Sequence, residues 1–527
     1  MVMKSYDIII IGAGINGLIT ASILGKKGKS VLLLESRDKI GGMASTMEFA
    51  PGFKCNAIND TIKWIDPRVI KFLDLYTNGL EIIQPDILKT IIGDDNEHIS
   101  FHKEIDKTIN AIAKHSKKDS EKWKDFSSYI EKLSHFLEKL YELKPPILPN
   151  IGLKEILRMR SILSPIRKYG SQGVVDLLRV APMMMPELVD EWFENELLRS
   201  AISTAGIHHL SFGPFAAGTG YNLLHQHIHS NGLFHNIQFV KGGTEQYAIA
   251  LRNCAESFNV DIKTSKKVIS INTNQNVCNS VTLENGKQIM ANNIVSTLDP
   301  SNTFLNLVGS SNLTPNFRRQ INNIRYRGST ARIHFALSGL PIIKGISKEQ
   351  MKTVFSVSPS VEFLEKASDA VKYGKISDKP FVEFVISSLL ESDFAPKNEH
   401  VLSATVQYAP YHLKNNKWSE KLKEQLKINV IHVLEKAIPD IKSLIKHTKI
   451  FTPLDIENEF GLSEGNLNHG EMTLDQFMFM RPTISSSQYK TPINNLFLCG
   501  SGTHPGGGLH GSNGYNASME ILKSEFS

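Results

Sequence analysis

The chemically suggestive residues of this chain sit near its two ends, and several of them are glycines. Gly12, Gly14 and Gly17 form a GxGxxG, and Glu35 stands 23 positions after Gly12. A glycine in the first position permits a tight turn, the second lets backbone approach a pyrophosphate, and the third lets a helix pack closely on a strand. The amino end of that helix then offers free N–H groups and a partial positive charge to the pyrophosphate. A carboxylate at position 35 can accept from both hydroxyls of an adenosine ribose and repels a 2′-phosphate, so NADP is disfavoured. The chemistry this spacing predicts is dinucleotide binding.

The other end repeats the theme. Gly506, Gly508 and Gly511 also match GxGxxG within the glycine-dense run 500–511, but only 16 residues follow, too few for a second βαβ unit. The run reads instead as a strand, loop and helix laid beside the first, placing Gly500, Ser501, Gly507, Gly508 and Gly511 against the same cofactor. Side chains able to act on a substrate are fewer. His208, His209, His225, His227, His229 and His235 lie within 28 residues. On a strand, positions 225, 227 and 229 would share one face and suit a metal, but no nearby carboxylate or cysteine completes a ligand set, so no metal is expected. The catalytic candidates are His225, as a pocket-lining residue, His504 and His510, within the glycine run, and Gln476. Arg481 joins them, with a satisfied buried polar network as the equal alternative for Gln476 and Arg481. Cys55, Cys254, Cys278 and Cys499 form no CxxC, which excludes dithiol redox chemistry and points to a reducing compartment.

Positioning these groups requires a strand at 6–11, a turn at 12–17, a helix at 18–27 and a strand at 31–34, then a strand at 495–499 and a helix at 513–524. Hydropathy alone would let 8–25 pass for a signal peptide or a short span. Asp7 at its border, the glycines within it and the missing cleavage site favour strand, turn and helix, with no room for a removable presequence. Between the ends, 102–145 reads as one or two amphipathic helices. In 151–182, Lys154, Arg158, Arg160, Arg167, Lys168 and Arg179 face only Glu155 and Asp176. That stretch reads as a surface for anionic lipid or as a solvated helical cap. A helix at 244–257 precedes strands at 260–263, 267–271, 280–283, 288–290 and 294–296, with a hairpin turn at 284–287. Strands at 328–338, 353–358, 381–387 and 401–408 suggest a separate antiparallel sheet, with helices at 416–437 and 440–447 beside it.

Arg37 is followed by the Gly41-Gly42 pair, and this resembles the extended FAD fingerprint of glutathione-reductase-like flavoproteins, so FAD is the expected dinucleotide. ESRDKIGGMASTMEFAPGFKCN at 35–56 and LFLCGSGTHPGGGLHGSNGYNAS at 496–518 together resemble the phytoene desaturase-like FAD-dependent oxidoreductases of the flavin amine oxidase and carotenoid desaturase superfamily. Segments 218–226, 241–251 and 451–482 fit the same group. The resemblance implies an α/β fold with a glutathione-reductase-like Rossmann FAD-binding domain, discontinuous in sequence, a mixed or antiparallel substrate domain and a helical insertion. The FAD domain would comprise 1–60, 237–300 and 451–527, the helical and substrate-domain insertion 61–236, and the substrate domain 301–450. The resemblance further implies that Val268 pairs its backbone with the adenine. The wider pattern carries an acidic residue where this chain has Ser501, so that serine or a backbone amide would have to hold the ribityl hydroxyl.

The chain has 527 residues, 41% of them hydrophobic, with 59 Lys and Arg against 53 Asp and Glu. This is the profile of a globular protein of two or three domains, and the mild charge excess argues against a nucleic-acid partner. No Ser-His-Asp or paired-carboxylate signature stands out, as expected where a cofactor carries the reaction. The expected function is FAD-dependent removal of hydride from an organic, apolar or polyene-like substrate. Electrons would pass to oxygen or a quinone, since a second dinucleotide unit is absent from the pattern. The alternatives are C–N oxidation of an amine, a redox-neutral FAD-dependent isomerase, and a flavin-bound interaction protein with little catalysis. The expected location is the cytoplasm, with 151–182 as a peripheral contact to the inner face of a membrane. Nothing in the sequence sets an oligomeric state.

Overall fold

A computed structural model describes residues 5–146, 163–414 and 417–524. The buried isoleucines of Tyr6–Ile11 and the leucines of Val31–Leu34 make two adjacent parallel strands, with Ile9 opposite Leu32. Val31–Leu34 then pairs with Asp261–Lys263, and Tyr6–Ile11 with Gln288–Ser296, both in parallel. Leu496–Leu498 completes this parallel core beside Gln288–Ser296, with Ile294 opposite Leu496. Strands drawn from far-separated stretches thus form one sheet, fully apolar in its centre as a sheet covered on both faces must be. Val268–Asn274 and Val277–Leu283 extend it as an antiparallel ribbon.

Two expectations change here. The strands expected at 288–290 and 294–296 are one continuous strand, Gln288–Ser296. Its first half pairs antiparallel with Val277–Leu283 and its second half parallel with Tyr6–Ile11, so the polar Asn292 and Asn293 do not interrupt it. The first helix is Ile15–Lys26 and starts directly after Gly14, three residues before the start expected from its apolar periodicity.

The second large sheet has the order 445–451, 330–337, 400–407, 381–386, 354–357, 87–92 and 98–102. It is mixed, because Val354–Val357 runs parallel to Ile87–Ile92. The helix expected at 440–447 is only Ile441–Leu444. Ile445–Phe451 instead forms the edge strand against Thr330–Leu337, with Ile450 opposite Ile333, and pairing with that neighbour outweighs local helical periodicity. The helix expected at 416–437 is Glu420–Leu434, started by the Ser419 hydroxyl accepting from Leu422 N–H. Lys117–Glu142 and Ile105–Ala113 supply the two amphipathic helices of 102–145.

The histidine stretch is not a strand: Thr219–Gln226 is a helix and 227–229 a turn, so the shared-face geometry for a metal does not arise. Of the basic stretch 151–182, positions 151–162 lie outside the described residues. Within the described remainder Arg179 pairs with Glu191 at 2.6 Å. No helix among the described residues is long and apolar enough to cross a membrane. All four cysteines are buried and free.

Candidate cofactor groove and its surroundings

The two strand–turn–helix units come together at the carboxyl ends of the parallel strands, where open α/β sheets place ligands. At Gly12 the backbone takes φ +97°, and a Cβ there would stand 2.1 Å from Thr297 Oγ1. A Cβ on Gly17 would stand 2.1 Å from the Gly12 carbonyl oxygen, so the helix can sit this close to the turn only with glycine. Glu35 ends its strand and is 7% exposed. Its Oε2 accepts from Ala13 N–H at 2.7 Å and its Oε1 from Arg37 N–H at 2.9 Å, which fastens the acid to the phosphate turn.

A groove of about 620 Å³ runs along these elements. It is lined by Gly12, Gly14, Glu35, Arg37, Gly41, Gly42, Val268, Gly500, Ser501 and Gly508 of the expected cofactor residues. Gly17, Gly507 and Gly511 do not line it. Gly17 and Gly511 lie behind it, where added Cβ atoms would meet the Gly12 carbonyl and Ile19 Cδ1, and a Cβ on Gly507 would meet Asn468 Oδ1. The groove also takes residues that no local motif announces: Asn16, Met43, Thr297, Asn302, Phe460 and His469. The Arg37 guanidinium lies 4.7 Å from the centre of the Phe460 ring. His469 is the groove's imidazole, with a left-handed backbone at φ +55° and Nδ1 without a hydrogen-bond partner among the described residues. Its position within 451–482 is the available signal, but that segment resembles the family as a block and singles out no side chain.

The groove fits a dinucleotide. The amino end of Ile15–Lys26 has no side-chain cap and no acid in its first turn, leaving its N–H groups for an anion. A Cβ on Gly14 would meet no atom within 4 Å, so it would project into free space where backbone must approach a phosphate. The second helix, Ser512–Ser524, also lacks an acid in its first turn, and its Gly514 N–H donates to Asn16 Oδ1 at 3.3 Å. Asn16 Nδ2 in turn reaches Ser501 Oγ at 3.5 Å. One asparagine therefore ties both helix ends to the serine that stands where the wider pattern carries an acid.

The four catalytic candidates lie outside the groove lining. His225 takes a hydrogen bond from the Tyr141 hydroxyl at 2.6 Å and donates to the Gly507 carbonyl at 3.1 Å, so it acts on the loop that carries Gly508. His504 donates to the Leu140 carbonyl at 3.1 Å. His510 stacks on Trp64 with ring centres 4.3 Å apart and planes 4° from parallel. Burial pushes His225 and His504 down to about 3 and His510 to about 4, so all three rings are neutral at pH 7. Gln476 is spent on the backbone of Arg325 and Glu471. Arg481, 2% exposed, donates to the carbonyls of Asn468, Gly470, Glu471, Gln476 and Ser501, a buried cation clamped by backbone beside the groove. For Gln476 and Arg481 the structure takes the network alternative.

Between the groove and the second sheet lies a charged interior. Arg332 meets Asp60 at 2.5 Å, with side chains 2% and 6% exposed. On the same sheet face His334 bridges the Ser403 hydroxyl at 2.8 Å and the Ala57 carbonyl at 3.1 Å. Lys89 meets Glu383 at 2.8 Å.

Comparison with known proteins agrees with this geometry. Residues 10–74 match the NAD(P)-binding Rossmann-like domain, and 204–522, more than half the chain, match the flavin containing amine oxidoreductase family. The chain is 29% identical to pyridine nucleotide-disulfide oxidoreductase domain-containing protein 2 of Rattus norvegicus, over 98% of this chain and 93% of that protein. It is 24% identical to a limonene dehydrogenase polypeptide of Castellaniella defragrans, over 99% and 95%. It is also 24% identical to a lycopene-forming phytoene desaturase of a Paracoccus strain, over 98% and 97%. In fold it is similar to cyclohexylamine oxidase from Brevibacterium oxydans, with TM-score 0.58 at 15% identity over 99% of this chain and 100% of that one. The helix ends, the acid at 35 and the groove between them are therefore those of an FAD-dependent oxidoreductase, and the chain belongs to the flavin containing amine oxidoreductase family.

Proposed function

We propose that this protein dehydrogenates a carbon–carbon bond of an organic substrate held between the FAD groove and the second sheet, rather than oxidising an amine. Bound FAD supplies the hydride acceptor. The chain's own residues orient and shield: the helix beginning at Ile15 receives the pyrophosphate, Glu35 the ribose, and Ser501 with Asn16 the segment between the two helix ends. The observation that carries the choice of substrate is the charge of the interior. Arg481 has no carboxylate partner among its hydrogen bonds, and Arg332 and Lys89 are each matched by a single acid. His225, His504 and His510 are neutral. A protonated amine would enter a region already biased positive, at a Coulombic cost that low dielectric enlarges. Two relatives are named for dehydrogenating limonene or desaturating phytoene, which supports the same choice. Electrons would leave to oxygen or a quinone, because the described residues contain one dinucleotide βαβ unit.

The test is anaerobic mixing of the FAD-loaded protein with terpenoid hydrocarbons, unsaturated organic acids and primary amines while following the visible flavin absorbance. Bleaching by a hydrocarbon or an acid and none by the amines is the expected result. Bleaching by amines alone would replace the reading with C–N oxidation. Product formed with no bleaching and no acceptor would mark a redox-neutral isomerase.

A further inference from the structure

A second polar void lies inside the molecule, apart from the groove. It measures about 10 Å³ and is lined by Lys63, Lys89, Thr204, His208, His227 and Glu383, among others. This is room for about one water-sized polar group. Three parts of the chain build it: the segment leaving the Gly-Gly turn, whose Ala57 N–H donates to the Ser45 carbonyl at 2.9 Å; strands Ile87–Ile92 and Phe381–Ile386 of the second sheet; and the end of helix Glu196–Gly206.

Its charges do not balance. Lys89 donates to Glu383 at 2.8 Å and to the Thr204 hydroxyl at 2.9 Å, and the Ser356 hydroxyl donates to the same carboxylate at 3.0 Å. Arg332 and Asp60 neutralise each other next to this cluster. Lys63 makes neither a hydrogen bond nor an ion pair among the described residues. It lies deep in the molecule and yet keeps accessible surface, so that surface faces an interior void. Lys63, Lys89 and Arg332 thus stand against Glu383 and Asp60 alone, one positive charge in excess. The histidines do not change this sum, because burial pushes His208 well below its ordinary range, His209 to about 4 and His227 to about 3. Burial also lowers Lys63 to about 8, which leaves it mostly protonated at pH 7. The His208 ring, like Lys63, has no hydrogen-bond partner among the described residues. An uncompensated interior cation is costly to the fold, and a lysine serving packing alone would be replaced by an apolar side chain without loss.

We propose that this void anchors the carboxylate of the substrate, with Lys63 as its counter-ion and His208 as a second polar contact. The protein then acts on an organic acid rather than on a neutral hydrocarbon. The inference rests on the dehydrogenase reading above and narrows its substrate class. The sheet face carrying Arg332 and His334 joins the two sites, since Asp60 and Ala57, which those side chains hold, lie on the chain segment between the Gly-Gly turn and Lys63.

Calorimetric titration of the FAD-loaded protein tests this, with straight-chain monocarboxylates from acetate to decanoate and the primary alcohols of matching length as probes. A carboxylate should bind wild-type protein at least about tenfold more tightly than its alcohol, as one charge-assisted contact predicts. Lys63→Met should abolish that preference and Lys63→Arg should keep it, with melting curves and bound FAD showing that both variants are folded. No carboxylate binding, equal binding of acid and alcohol, or an undiminished preference in Lys63→Met overturns the proposal. Chloride that competes for the site with no dependence on carboxylate chain length also overturns it, as a generic anion hole. The two readings fail separately. Carboxylate binding without flavin bleaching by any probe would end the dehydrogenase reading alone, and bleaching that ignores Lys63→Met would end the carboxylate anchor alone.

Discussion

Glu35 shows how much one side chain does in this site. Its carboxylate faces the groove while holding the Ala13 and Arg37 N–H groups, so it shapes the phosphate turn and presents an acceptor to the ribose. Glu35→Ala should weaken FAD binding by about 1.5–3 kcal/mol, the usual worth of hydrogen bonds to a charged group. The FAD-to-protein ratio after exhaustive dialysis checks this, and an unchanged ratio would remove the ribose role. Glu35→Gln keeps one acceptor oxygen and should lose less. The residue scale is also where sequence reasoning reaches least far. His225, His504 and His510 draw attention by lying in or near glycine-rich segments, but imidazoles there point into the packing behind the loop. His469, which does line the groove, sits in a turn with no periodicity to mark it.

At the scale of elements, the first helix separates two uses of glycine that GxGxxG writes with one letter. Gly17 faces protein and Gly14 faces the groove. Gly17→Ala forces a Cβ against the Gly12 carbonyl and should destabilise the fold by about 1–3 kcal/mol, visible in chemical denaturation of the protein stripped of FAD. Gly14→Ala meets no atom within 4 Å and should leave that stability near wild type while lowering FAD affinity, because its methyl takes pyrophosphate space. Equal denaturation midpoints for the two variants would refute this division. The strand Gln288–Ser296 teaches a related lesson. Its polar middle breaks the apparent pattern, but its halves have different partners, and backbone pairing continues through residues whose side chains argue for a break.

Across the whole molecule, the interior holds neutral histidines in number. Burial keeps His225, His227 and His504 at about 3 and His209 and His510 at about 4. Their unfolded value is about 6.5. Below that value the unfolded chain binds protons that the folded chain refuses, so stability falls with pH by up to about 1.4 kcal/mol per unit for each ring. The melting temperature should therefore be nearly flat above about pH 7 and drop steeply from about pH 6.5 toward pH 5. A level profile across that range would show that these rings protonate without unfolding. What the sequence determined by itself was the cofactor cradle, because strand, turn, helix and acid lie within 35 residues and each has a local requirement that only certain residue types meet. The two halves of the cradle were legible for the same reason, and the second sheet's central strands were legible from their apolar runs. Tertiary structure alone decided which side chains close the groove, that Ile445–Phe451 is a strand, and that Lys63 meets His208 and Glu383, 145 and 320 residues away in the chain. Those meetings depend on how the second sheet packs over the segment leaving the Gly-Gly turn. An unpaired charge becomes visible only when all its neighbours are in place.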